Sequence, residues 1–221
     1  MAKINISGDI VSDEDKWIYD WLGIPAVSPS DVRDVIEGKQ KEEKLTVEIN
    51  SGGGSVFAGQ EIYSLLKGRN DVEIEIQSLA GSAASVIAMS NRSRMSPVAM
   101  IMIHNVSMVG AEGDHHDMKK NAEILQKMDE ALAAAYVEKT GKDKDEILKL
   151  MDRETWLTAN QSLDMGFVDE IGTEEPAFAN ALFGTHLTDE MRRKAIEEKT
   201  AADRIEARKQ ELLKDIDAFG I

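Results

Sequence analysis

Residues 72–89 read VEIEIQSLAGSAASVIAM, and two different patterns meet within this stretch. Val72 to Ile76 alternates apolar and charged residues, as a half-buried strand does. Val86 to Met89 is continuously apolar and is typical of a buried helix. We therefore expect Ser85 at the first turn of that helix, where free backbone N–H groups and the positive end of the helix dipole lie. Such a serine is either a helix cap or a nucleophile beside an oxyanion-binding amide.

The same alternation of strand and helix continues on both sides of this stretch. Strands are expected at 4–10, 45–50 and 98–104, and helices at 57–66 and 114–139. This order predicts an α/β fold with a parallel sheet of βαβ units. The residue pattern of the chain changes at Thr173, and a helix with many charged residues is expected from Thr188 onward. We divide the chain into a core, residues 1–172, and a charged C-terminal helical tail, residues 173–221.

The composition excludes several classes of function. The 221 residues include 41 acidic and 26 basic side chains, a net charge of −15, which disfavours nucleic acid and anionic membranes as partners. There is no cysteine, which rules out disulfides, thiolate metal sites and cysteine nucleophiles. The neighbouring His115 and His116 cannot share one helix face, so no metal site is expected. The absence of a signal-peptide pattern and of a long apolar run predicts a cytoplasmic protein.

Three segments follow predicted strands and could meet at one edge of the sheet, where ligands of parallel α/β folds bind. They are the glycine turn 50–55, the Ser85 turn and His104. Glycines let a backbone approach a ligand closely, and no Gly-Lys-Ser/Thr follows, which disfavours a phosphate-binding P-loop. His104 closes an apolar run and is either a hydrogen-bonded core histidine or a general base.

Four motifs occur in one order along the chain: INSGGGSVFAG at 49–59, GSAAS at 81–85, MIHN at 102–105 and RETWLTA at 153–159. Together they resemble the Clp protease proteolytic-subunit family, serine peptidases with the ClpP/crotonase fold. Gly52 stands where that family has a proline. The resemblance covers most of residues 1–172 and does not include the tail. Within the family, the stretches after the nucleophile turn are most similar to phage and prophage head-maturation proteases.

The resemblance implies a fold of repeated ββα and βαβ units with a protruding handle helix, here Met118 to Tyr136. It also implies a role for each matching position. In the triad, Ser85 would be the nucleophile and His104 the base, with Glu154 as the acid and Asp152 as the alternative acid. The backbone N–H groups of Gly53 and Val86 would form the oxyanion hole, and neither a metal nor another cofactor is implied.

The implied activity is that of a serine endopeptidase acting on polypeptides, with maturation of phage capsid or scaffold protein as the expected task. The family resemblance also implies a homo-oligomeric ring, a heptamer or stacked heptamers, in the cytoplasm of a bacterial host or inside the prohead. One alternative is the proteolytic subunit of an ATP-dependent degradation complex that works with an AAA+ unfoldase. Others are a catalytically inactive assembly relative and a crotonase acting on acyl-CoA.

Overall fold

The structure is a computed structural model that describes residues 1–172 and 187–219, with residues 211–219 described as backbone alone. The strands in these ranges are β1 (Ala2–Ile10), β2 (Ala26–Val27), β3 (Leu45–Gly54), β4 (Val72–Gly81), β5 (Ser93–Met95), β6 (Met100–Ile103), β7 (Thr155–Thr158) and β8 (Glu170–Ile171). The helices are α1 (Asp13–Leu22), α2 (Pro29–Gly38), α3 (Val56–Leu66), α4 (Ala83–Ala88), α5 (His115–Thr140), α6 (Lys144–Asp152), α7 (Ala159–Asp164) and α8 (Asp189–Phe219).

The sheet is mainly parallel, as the sequence predicts. Its order is β2-β1-β3-β4-β5-β8, and every pair along this path is parallel. Strand β4 changes partner along its length: its first half pairs with β5, whereas its last residues, Leu79 to Gly81, pair with β6. The antiparallel strand β7 extends the sheet beyond β6. This change of partner brings the ends of β4 and β6 side by side.

The burial pattern of each element fits its position in the fold. Strand β3 is buried on both faces for most of its length, as expected for a central strand of a parallel sheet. Strand β4 alternates, with Val72, Ile74 and Ile76 in the core and glutamates between them. All six residues of α4 are buried, and the helix packs against α3 and β3. The core thus surrounds the turn between β4 and α4.

Helix α5 has two unlike halves. Its first turns are exposed, with Met118 and Ile124 among the exposed apolar side chains. Its last turns pack into the core, where Leu132 and Tyr136 are buried. The apolar stripe predicted from Met118 to Tyr136 therefore packs within this chain only over its C-terminal part.

The tail helix α8 contacts α1. Arg192 forms an ion pair with Asp15, and the Lys199 ammonium lies 5.5 Å from the ring centre of Trp17 and 5.8 Å from that of Trp21. The predicted boundary at residue 173 adjoins residues 173–186, which lie outside the described residues. Within the described ranges, no helix is both long enough and apolar enough to cross a bilayer.

Candidate active site

The register of β4 and β6 brings a serine and a histidine together. Gly81 pairs with Met102, and the N–H of Ser82, the next residue, donates to the Met102 carbonyl at 2.9 Å. His104 follows the end of β6, and its Nε2 lies 2.8 Å from the Ser82 Oγ. Both side chains are half-buried. A hydroxyl within hydrogen-bond distance of an imidazole is the geometry of an activated nucleophile.

Ser82 has an unusual backbone conformation. It caps α4 with φ 51° and ψ −123°, and the positive φ is uncommon for a residue other than glycine. Such conformations cost about 1–3 kcal/mol and are concentrated at functional sites. The turn between a strand and a helix thus holds the Ser82 hydroxyl outside the helix, facing His104.

The predicted pairing of Ser85 with His104 is wrong. Ser85 is fully buried inside α4, where its Oγ donates to the Ser82 carbonyl at 2.6 Å and lies 2.7 Å from the Tyr136 hydroxyl. The physical reason is the length of β4, which continues to Gly81, so that α4 begins at Ala83. Ser85 lies in the first turn of α4, as expected, but it is the third helical residue, and the position that faces His104 is shifted to the N-cap residue, Ser82.

The same shift changes the expected oxyanion donor. The N–H of Val86 points along the helix to the Ser82 carbonyl, at 3.4 Å, and does not face the histidine side of the turn. Ala83 is the first residue of α4, and an N–H at that position has no acceptor within its own helix. Ala83 is therefore a candidate donor at this turn, in addition to the predicted Val86.

Gly53 lies against the Ser82 turn. It has φ +108°, and a Cβ at this position would lie 2.7 Å from the Ser82 Cβ and 3.0 Å from the Ala83 nitrogen. Only a glycine allows the end of β3 to approach the end of β4 so closely. The Gly53 N–H donates to the Ser51 Oγ at 3.0 Å in this conformation.

The two acids predicted from the sequence bind other groups. Glu154 is exposed, has φ 48° and accepts a hydrogen bond from the Trp156 indole at 3.1 Å. Asp152, also exposed, accepts from the Asn105 amide at 2.8 Å. Among the described residues, no carboxylate is hydrogen-bonded to the His104 ring. Neither of the two predicted acids is therefore hydrogen-bonded to the imidazole of His104.

Asp129 is a third carboxylate near the histidine, and no sequence motif points to it. It lies on α5, is 8% exposed and accepts a hydrogen bond from the Val106 N–H at 2.6 Å. Burial raises the pKa of Asp129 above its usual value and the nearby Asp152 raises it further, whereas the Val106 N–H and His104 lower it. The electrostatic interaction between Asp129 and His104 makes this buried carboxylate a candidate for supporting the imidazole.

The structure adds four candidate groups that no sequence pattern identifies: Ser82, Ala83, Asp129 and the hydroxyl of Tyr136. A signal for Ser82 exists, because the motif GSAAS contains two serines and the first directly follows the strand. Asp129 gives a weaker signal, because it is one of five carboxylates on a helix that also carries four lysines. In the described part of the chain, no cluster of three or more potential metal ligands occurs.

Known proteins are similar to this chain in sequence. The sequence pattern of the family described as Clp protease matches residues 34–175. The ATP-dependent Clp protease proteolytic subunit 2 of Tropheryma whipplei is 31% identical over 144 residues, which is 63% of this chain and 79% of the relative. The ATP-dependent Clp protease proteolytic subunit 1 of Corynebacterium glutamicum is 30% identical over 141 residues, 62% of this chain and 68% of the relative.

A solved structure of a ClpP1 mutant from Listeria monocytogenes is similar to the fold. It aligns with a TM-score of 0.62 and 24% sequence identity, over 78% of this chain and 92% of that one. At this identity the likeness establishes the fold alone. The ClpP-like α/β fold predicted from the sequence is confirmed.

Proposed function

Since this chain belongs to the Clp protease family and is a serine-type peptidase, we propose that it cleaves peptide bonds with Ser82 as nucleophile and His104 as general base. The observation that carries the proposal is the 2.8 Å distance between the Ser82 Oγ and the His104 Nε2. This assignment replaces Ser85, which lies buried behind the turn.

The reaction follows from the positions of these groups. Ser82 Oγ attacks the peptide carbonyl carbon while His104 Nε2, in the tautomer that carries its proton on Nδ1, accepts the hydroxyl proton. The carbonyl oxygen becomes an oxyanion, and the imidazolium then protonates the leaving amine as the C–N bond breaks. Water, deprotonated by the same imidazole, hydrolyses the Ser82 ester and restores the free hydroxyl.

The oxyanion would be held by backbone amides at the turn. Ala83 supplies an N–H with no partner in its helix, directly beside the nucleophile. Gly53 remains the predicted second donor, which requires its N–H to leave the Ser51 Oγ when substrate binds. Loss of one oxyanion donor typically lowers turnover by about two to three orders of magnitude.

We assign the support of the imidazolium to Asp129. Its carboxylate is buried and interacts electrostatically with His104, so it stabilises the positive charge that forms on the ring. Glu154 and Asp152 remain predicted acids, but both are exposed and bound to other side chains. A charge exposed to water stabilises an imidazolium less than a buried one does.

The substrates we propose are unfolded polypeptides, delivered by an ATP-dependent partner. The relatives reported above are named as proteolytic subunits of ATP-dependent proteases. This sequence contains no P-loop motif, so ATP hydrolysis would be the work of a separate unfoldase. The capsid or scaffold substrate predicted from the sequence finds no support in the names of these relatives and stays a prediction.

A ring of identical subunits would enclose a chamber into which such a partner could deliver unfolded polypeptides. The exposed first half of α5 and the loop before it present Met108, Val109, Met118 and Ile124 to solvent, and Val109 is 97% exposed. Exposed apolar side chains grouped in this way are typical of protein interfaces. We propose that other copies of this chain cover them, which a native mass measurement of the particle tests directly.

Labelling with a fluorophosphonate probe tests the catalytic assignment. The probe is expected to modify Ser82 in the native protein, and Ser82→Ala is expected to remove the label. His104→Ala is expected to slow labelling strongly, because the imidazole activates the hydroxyl. Ser64→Ala is the matched control, since this exposed α3 serine bonds only the Gln60 carbonyl of its own helix.

Two results would contradict the assignment. The first is a label on Ser85 that survives in Ser82→Ala; mass-spectrometric fragmentation of the peptide 70–92 distinguishes the two serines. The second is the absence of any label on the assembled particle, which would favour the inactive relative. Degradation of a folded substrate only with an unfoldase and ATP supports the proposed partner, whereas cleavage of capsid protein without them supports maturation.

A further inference from the structure

The buried side of the Ser82 turn contains two hydroxyl groups that the proposed mechanism does not use. Ser85 Oγ lies between the Ser82 carbonyl oxygen, at 2.6 Å, and the Tyr136 hydroxyl, at 2.7 Å. Ser85 is 0% exposed and Tyr136 is 1% exposed. The three groups form one line of hydrogen bonds that leads from α5 to the backbone of the candidate nucleophile.

The donor in each of these hydrogen bonds follows from which groups carry a proton. A carbonyl oxygen only accepts, so Ser85 must donate its single proton to Ser82. Tyr136 must then donate its phenolic proton to the Ser85 oxygen. Burial raises the pKa of Tyr136, with the Ser85 hydrogen bond acting in the opposite sense. The phenol therefore keeps its proton, and remains a donor, throughout the neutral pH range.

The Ser82 carbonyl is unusually well anchored. Besides the Ser85 hydroxyl, it accepts the N–H of Ser85 at 2.9 Å and that of Val86 at 3.4 Å. The Ser82 C=O and the Ala83 N–H belong to one peptide unit, and in a trans peptide these two bonds point in opposite directions. A carbonyl held toward the interior of α4 therefore directs the Ala83 N–H away from the helix, toward the side where Gly53 lies.

We propose that Tyr136 and Ser85 form a positioning relay that orients the Ser82–Ala83 peptide unit and so holds the Ala83 N–H ready for the oxyanion. The proposal rests on the proposed function of Ser82. The relay also helps to stabilise the positive φ of Ser82. Without such support this backbone conformation would relax to a more common one, and the geometry of the site would be lost. Because Tyr136 belongs to α5, the relay connects the packed half of that helix to the catalytic turn.

The alternative is that the two hydroxyls only fill space in the core. The two views differ in which kinetic constant changes, because oxyanion stabilisation acts in the transition state and not on the bound substrate. The measurements are kcat and KM for a short peptide substrate, and the affinity for a peptide aldehyde. The aldehyde adds the Ser82 hydroxyl reversibly to form a hemiacetal, whose oxygen occupies the oxyanion position.

Tyr136→Phe removes the phenolic donor and keeps the ring. We expect kcat to fall about tenfold and KM to stay within about twofold, with the aldehyde affinity falling in parallel with kcat. Ser85→Ala removes the group bound to the Ser82 carbonyl and is expected to lower kcat by roughly 10- to 100-fold. The double variant should behave like Ser85→Ala alone, because Tyr136 acts only through Ser85.

Tyr63→Phe is the matched control. It removes another tyrosine hydroxyl that contacts α5, 3.3 Å from the Glu138 carboxylate, at the partly exposed side of the helix. We expect no change in kcat, KM or aldehyde affinity. Circular dichroism and native mass should be unchanged in all variants.

The relay is overturned if folded, assembled Tyr136→Phe and Ser85→Ala keep both kcat and aldehyde affinity within twofold of the native protein. It is also overturned if the loss appears in KM while aldehyde affinity is unchanged. These results differ from failure of the proposed function. In that case the native protein itself would not be labelled at Ser82, whereas the relay can fail in a protein that labels normally.

Discussion

Ser82 and Ser85 are separated by only two alanines, but their surroundings in the structure are opposite. Ser82 is half-buried, caps the helix in a strained conformation and faces an imidazole. Ser85 is fully buried in regular helix and faces a tyrosine hydroxyl. Three residues along the start of a helix are enough to place one serine beside His104 and the other in the core.

The largest expected effect tests whether Ser82 acts as one unit with His104. Ser82→Ala and His104→Ala should each lower kcat by about four to six orders of magnitude, since neither group performs the chemistry alone. The double variant should lose no more than the worse single variant. Steady-state peptide hydrolysis by the three proteins checks this. Losses that multiply in the double variant would mean that the two residues act independently.

The next effect tests the close approach of β3 to the turn. Gly53→Ala places a Cβ 2.7 Å from the Ser82 Cβ and 2.8 Å from the Gly81 carbonyl oxygen, at φ +108°. We expect the free energy of unfolding to fall by about 2–4 kcal/mol, with loss of activity. Denaturant titration measures the change.

Gly68→Ala is the matched control for this change. Gly68 also has a positive φ, +74°, but nothing lies within 4 Å of its added Cβ. Only the conformational cost of about 1 kcal/mol is expected, with activity retained. Equal losses of stability in the two variants would argue against a steric role for Gly53.

A smaller effect distinguishes the three carboxylates near the histidine. Asp129→Asn keeps an acceptor for the Val106 N–H but removes the charge, and kcat should fall roughly 100-fold. Glu154→Gln and Asp152→Asn should stay within about threefold of the native protein, because both groups are exposed. Peptide hydrolysis at saturating substrate compares the three variants. A large loss in Glu154→Gln alone would restore the acid predicted from the sequence.

The smallest effect is the pH dependence of stability, which has opposite signs at two aspartates. Burial raises the pKa of Asp129, so the folded protein favours the protonated acid and loses stability as the pH rises through the range between the ordinary and the raised pKa. Lys39 is the main group that lowers the pKa of Asp71, to about 2, so its contribution is present above the ordinary pKa and is lost as the pH falls toward 2.

Thermal unfolding between pH 2 and 7 of two variants checks these signs. Asp129→Asn should be stabilised relative to the native protein at neutral pH, and the advantage should shrink as the solution is acidified. Asp71→Asn should be destabilised at neutral pH, and its disadvantage should shrink on acidification. The same direction of change in both variants would contradict the assignment of burial as the dominant cause at Asp129.

The alternation of apolar and charged residues was enough to predict most elements, since one buried face imposes a period of two on a strand and about 3.6 on a helix. It was insufficient at the ends of β3 and β4. There the small residues up to Gly54 and Gly81 continue the strands through backbone pairing, and they carry no side-chain pattern that reveals it. For this reason the sequence pattern does not identify Ser82 as the serine that lies next to His104.

By itself, the sequence determined the α/β class, the family and the presence of a histidine and a glycine turn at the edge of the sheet, because periodicity and motif order are local properties of the chain. Only the tertiary structure decided which serine meets His104 and which carboxylate lies near it. Those contacts depend on the register of β4 against β6 and on the face that α5 turns inward. Both are set by packing between segments far apart in the chain, and no local pattern contains that information.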